Sequence, residues 1–232
     1  MMKTSKIIFI SLLSLIALYI MAAMIEVRVT GQKSGKFNNT LKVNKKSLPA
    51  FSVMYLTDSK NITVFESDSS FIEVLVPEAS AFPEIIYNCM NDTLHIKDYK
   101  MSPANFVFVK LHIAGNLRTI KLVNSDIIIS NLNSKKISFD LEHSKVYFAI
   151  NKSNNWSFGT MNITAKNNSA FTANSMEIDS LGIDLQNSVA NLTVSIKSLT
   201  CNLKDNSKIF TKQPMGISMK RDVTSTVNFI SR

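Results

Sequence analysis

Glycine is scarce in this 232-residue chain, at 6 residues, as are cysteine (2), histidine (3), proline (5) and tryptophan (1). So few glycines leave no glycine-rich loop to cradle a phosphate, and none of the Asn-Gly or Gly-Gly turns that close tight hairpins. Two cysteines cannot make a disulfide scaffold, and no Cys/His spacing matches a metal site. Cys89 and Cys201 could pair in an oxidising compartment. Cys201 also alternates with Leu199 and Leu203, which suits a small core residue. His95, His112 and His143 stand in no Ser-His-Asp order and near no nucleophile elbow, so they read as structural. No cofactor motif is present, and no cofactor is expected. These absences argue against most enzymes.

What the chain does have begins with an apolar run. After Lys3 and Lys6, residues 7–25 carry no charge over 19 positions. A secretory apolar region is usually about 7–15 residues and a membrane span about 20. A cut after Ala23 would put Met21 where a small residue is wanted. Residues 1–25 therefore read as an uncleaved N-terminal membrane anchor, with a cleaved signal peptide as the alternative. Either way residues 26–232 are expected outside the cytoplasm, in the cell envelope, or secreted or periplasmic if the segment is cleaved.

The net charge is +9 and the pI about 9.5. A basic envelope domain is attracted to anionic lipid or polysaccharide. A solvated, lysine-rich surface accounts for the same composition. The lysines are scattered, not clustered as a nucleic-acid footprint would be, so no nucleic-acid partner is expected.

Residues 26–40 are polar and read as a linker. From 41 onward nearly everything is strand-like, with short runs such as "FSVMYLT", "FIEVLVP" and "FVFVKLHIAG" over residues 41–115. Over 116–232 a repeat follows. Ser125, Ser144, Ser169, Ser188 and Ser207 are 19, 25, 19 and 19 residues apart, the 25 being a coil with a six-residue insertion near "NKSNNWS". Two and four residues after each Ser stand Ile127/Ile129, Val146/Phe148, Phe171/Ala173, Ala190/Leu192 and Ile209/Thr211. Before each Ser, pairs such as Ile120/Leu122 and Ile183/Leu185 keep the same period of two, which is inward packing on strands. Ile163/Ala165 and Cys201/Leu203 end one residue earlier, so two copies hold an extra corner residue.

The residue before each Ser is Asn124, His143, Asn168, Asn187 or Asn206. Asn and His tolerate positive φ better than most non-glycine residues, which suits a tight corner in every copy. Stacked Asn side chains could also bond along a column, and the Ser hydroxyls could cap the corner. A hairpin meander would want glycine-containing loops. A third apolar stretch in each copy, such as Met176/Ile178 and Val194/Ile196, instead favours one coil of a parallel β-helix with coils of about 19 residues.

These features, the opening strand series "LPAFSVMYLTDSKNITVFESDSSFIEVLVP" and the repeated small-residue corner, resemble a bacterial envelope family of autotransporter adhesin, head GIN domains, whose function is unknown. The resemblance spans roughly residues 41–229. It implies a right-handed parallel β-helix in an exported, adhesin-like protein, and no catalytic residues. This chain has Asn or His at a position where that family often has Gly.

Two other features bear on function. Trp156 and Phe158 lie in or beside the insertion and are candidate contacts for a sugar or a partner protein, unless Trp156 folds back onto the stack. Asp140 and Asp184 each precede a corner Ser by four, in copies two apart. A carbohydrate-active β-helix enzyme acting on anionic polysaccharide would need such a carboxylate pair, whereas two solvated carboxylates are the simpler account. The leading expectation is a non-enzymatic, membrane-anchored binding or scaffold domain of the envelope, whose partner is an envelope polysaccharide or protein.

Overall fold

The period-2 runs that recur from residue 41 onward become strands because β-branched and aromatic residues suit a pleated, half-buried surface. A computed structural model describes residues 18–21, 41–78, 80–99, 107–115, 117–132, 134–149 and 156–230. The anchor read at 1–25 and the linker at 26–40 lie outside the described residues, save 18–21. No helix among the described residues is long and apolar enough to cross a membrane.

The strands are β1 (Leu41–Ser47), β2 (Val53–Thr57), β3 (Ile62–Ser67), β4 (Phe71–Pro77), β5 (Ile86–Met90), β6 (Thr93–Lys97), β7 (Phe108–Ala114), β8 (Thr119–Val123), β9 (Asp126–Asn131), β10 (Ser134–Glu142), β11 (Lys145–Phe148), β12 (Trp156–Lys166), β13 (Ala170–Gln186), β14 (Val189–Lys204), β15 (Lys208–Thr211), β16 (Gly216–Arg221) and β17 (Thr226–Phe229).

They stack in parallel as a β-solenoid. One face runs β6, β2, β8, β10, β12, β13, β14, β16. The second runs β7, β3, β9, β11, β13, β14, β15, β17. The first parts of β10 and β12 and the middles of β13 and β14 make a third face, where Phe158 pairs with Ile178 and Ile178 with Ile196. β13 turns between the second and third faces at Ser175, which takes φ 54°, with a register shift between Asn174 and Glu177.

The opening strands belong to the same stack. β2 and β3 lie between the β6/β7 coil and the β8/β9 coil, so spatial order departs from chain order there. At that end the stack is covered by antiparallel strands: β4 on β7, β1 on β4 and β5 on β6.

Every coil contributes to inward columns of apolar side chains. Ile96, Leu56, Leu122, Leu141, Ala165, Leu185 and Leu203 follow one another in register, each no more than 1% exposed. Burying one such Leu contributes about 1.5–3 kcal/mol. Cys201 is 2% exposed in a parallel column, half-buried Cys89 lies on β5, and both are free thiols. Burial pushes both thiols up from their ordinary value, which disfavours the reactive thiolate.

Candidate functional site

The corner residues were the first candidates. Asn124, His143, Asn168, Asn187 and Asn206 are exposed and take φ of 49°, 49°, 62°, 47° and 61°. The two copies with an extra residue spend it on a second left-handed residue, Asn167 at 58° and Asp205 at 56°. Among the described residues no glycine has positive φ, so Asn, Asp and His supply the conformation that glycine takes most easily.

The serines at these corners are buried, and they form a ladder. The amide of Ser125 donates to Ser144 Oγ at 3.0 Å, Ser144 to Ser169 at 3.1 Å, Ser169 to Ser188 at 3.3 Å and Ser188 to Ser207 at 3.3 Å. Each hydroxyl donates in turn to a carbonyl of its own corner, as Ser188 Oγ does to Gln186 O at 2.9 Å. Every Ser thus satisfies a buried backbone amide that would otherwise cost stability, and its hydroxyl adds a second donor to a part-buried carbonyl. The ladder extends beyond the repeat. The amide of Ser59 donates to Ser125 Oγ, that of Tyr99 to Ser59 Oγ, and that of Ser207 to Ser225 Oγ. Ser225 keeps the two-and-four spacing, to Val227 and Phe229, but a Thr precedes it, which hid it. Ser59 was hidden by a longer step to Ile62 and Val64.

Bonds along a column of Asn side chains do not form among the described residues. The Asn amides make mixed contacts instead, such as Asn124 Nδ2 to Asp58 Oδ1 at 3.2 Å. The left-handed backbone aims these side chains at solvent, while Ser, one residue on, faces the core. The corner is therefore filled by structural work.

Trp156 and Phe158 are corrected as exposed contacts. β12 begins at Trp156, and both side chains point inward, at 3% and 0% exposure. Trp156 packs edge-on to Phe148, with ring centroids 5.2 Å apart. Of the insertion loop "NKSNNWS", residues 151–155 lie outside the described residues.

His112 is sandwiched between Phe65 and Phe71, with centroids at 5.3 and 4.1 Å, and contacts Glu73 Oε2 at 3.0 Å. His95 meets Tyr55 edge-on at 4.6 Å. Asp140 and Asp184 are exposed in one outward row, separated by Thr164 on the coil between. Two rungs amount to roughly 10 Å, near the upper limit of the roughly 6.5–9.5 Å of an inverting carboxylate pair. Asn202 Nδ2 donates to Asp184 Oδ1 at 3.3 Å. Among the described residues no group of His, Cys, Asp and Glu could hold a metal.

One place open to a ligand lies where the third face turns into the first. An open groove of about 890 Å³ is lined there by Arg118, Lys135, Lys136, Ser138, Gly159 and Asp179, among others. Gly159 lets the neighbouring strand close in, since a Cβ there would come within 2.7 Å of the Lys135 carbonyl. Lys197 holds Asp179 at 2.6 Å. Among the described residues Arg118, Lys135 and Lys136 are exposed and have no acidic partner. The groove is therefore an anion-attracting cleft with hydroxyl-bearing walls. Its cations are Arg118 and the pair Lys135-Lys136, from separate stretches that the sequence gives no reason to join.

The fold and site define a parallel β-solenoid with an open basic groove on its side. The chain is similar in fold to the crystal structure of a candidate adhesin from Bacteroides fragilis, at TM-score 0.58 and 13% identity over 83% of this chain and 98% of that one. A candidate lipid-binding protein from Parabacteroides distasonis aligns at TM-score 0.50 and 11% identity, over 84% and 98%. No family model and no curated protein matches the chain.

Proposed function

We propose that the chain is a non-enzymatic, adhesin-like protein of the cell envelope, held to a membrane by residues 7–25. Its solenoid presents the groove at Arg118, Lys135 and Lys136 to an acidic polysaccharide. The observation that carries this reading is the set of three unbalanced cations on one open groove. Support comes from the likeness to a candidate adhesin and from the resemblance of the repeat to the head GIN family. Residues of this kind bind acidic sugars through charge and hydroxyl contacts, without a reacting group.

The test is binding of the full chain, in detergent, to polygalacturonate and to neutral dextran. Reversing two exposed charges with Lys135→Glu and Lys136→Glu should remove about 1–2 kcal/mol, roughly a tenfold loss of affinity for the acidic polymer. Binding should also weaken as salt rises. Unchanged affinity in the double variant, or equal binding of dextran, would remove the groove from the account.

A further inference from the structure

The end of the stack made by β16 and β17 differs from the other. No described strand pairs with their outer edges. Ile217, Met219 and Phe229 stand in register with Leu199, Cys201 and Thr211, which are buried. Yet they are 45%, 41% and 47% exposed, so this end presents an apolar cross-section rimmed by free strand edges. Such an edge is a template for another strand, and an identical end on a second copy is self-complementary about a two-fold axis.

Two side chains oppose that pairing, and the corner serine shows how. In each earlier coil the Ser amide donates to the Ser of the next coil. The Ser carbonyl accepts from the next coil too, as Ser169 O does from Val189 N and Ser188 O from Lys208 N, both at 3.0 Å. In the last coil both groups of Ser225 are taken. Its amide donates to Asp222 Oδ1 at 2.8 Å, and its carbonyl accepts from Arg221 Nη1 at 2.8 Å. Asp222 also accepts from the amides of Asp205 and Thr224, at 2.7 and 3.1 Å. Arg221 breaks a pattern to be there. It is the register partner of Leu203 and ends the column that is apolar in every coil before it. Hydrogen bonds from Ser225, Asp205 and Thr224 hold the Asp222 carboxyl at about 2, so it stays a charged acceptor at any ordinary pH.

We propose that Arg221 and Asp222 form a plug that terminates the serine ladder and keeps the open end from pairing with a second copy of this chain. The plug occupies the groups through which one coil of this protein recognises the next, so the partner it refuses is another such coil. An inward-facing charge at a sheet edge is a known way to prevent edge pairing.

The test is sedimentation velocity of the full chain in detergent, with Arg221→Leu and Asp222→Ala combined. The double variant should show at least a twofold increase in protein mass over wild type at equal concentration. Adding Met219→Lys, which charges the exposed cross-section, should return the wild-type mass. A double variant with native strand content and wild-type mass overturns the proposal, as does association that survives Met219→Lys. If the double variant does not fold, Arg221→Leu alone decides. A larger mass reversed by Met219→Lys supports the plug, and an unchanged mass refutes it.

Discussion

Replacing Phe148 by alanine is expected to lower stability by about 3–5 kcal/mol, the range for truncating a fully buried aromatic side chain. Phe148 is 0% exposed and sits among four rings, with centroids 5.2 Å from Trp156, 5.6 Å from Phe171, and 6.0 Å from Phe139 and Phe158. Parallel pairing holds its strand, since Phe148 is in register with Ile129 of β9 and the rest of β11 also pairs with β13. That pairing resists collapse of the cavity by movement of the chain. Trp156 would lose its edge-on ring contact, and its buried Nε1 has no hydrogen-bond partner among the described residues. Urea unfolding of wild type and variant measures the loss. A difference below about 1 kcal/mol, that of an ordinary surface change, would mean that the aromatic cluster is not packed as described.

The second large effect is expected at a corner. Asn187 holds φ 47°, and a β-branched residue is a true outlier there. Asn187→Val should cost about 1–3 kcal/mol through backbone strain. Asn187→Gly should change stability by only a few tenths, because glycine adopts positive φ freely while losing more entropy on folding. The two variants together separate strain from lost side-chain contacts, which both would share. Equal thermal midpoints for the two would show that the corner does not depend on left-handed backbone.

Much of this architecture was legible in the sequence because the repeat writes each coil separately. Ser144, Ser169 and Ser188 mark equivalent corners, and the alternation around them names the inward residues directly. The doubled corners at Asn167-Asn168 and Asp205-Asn206 could be counted from a one-residue slip. The placement of β2 and β3 between later strands could not. Nothing in "FSVMYLT" states which neighbour its edges will meet, since that is set by burial across the finished stack. Trp156 reads either as a loop contact or as a side chain folded onto the stack, because an insertion next to it masks where its strand begins. Arg221 and Asp222 look like ordinary surface charges until register sets Arg221 opposite Leu203. The groove needed three dimensions as well, for Arg118 and Lys136 meet only when β8 and β10 lie side by side.

The Asn-Ser repeat is thus the joint of the scaffold, and the groove proposed for a ligand lies elsewhere, on the side of the stack. The measurement that addresses this most directly is native-state hydrogen exchange at the amides of Ser125, Ser144, Ser169 and Ser188. Each donates to the next serine in a buried ladder, so each should exchange only through global unfolding, with protection matching the full stability of the domain. Exchange of these amides as fast as that of the exposed bend at Val223 would contradict the ladder, and with it the reading of the repeat as architecture.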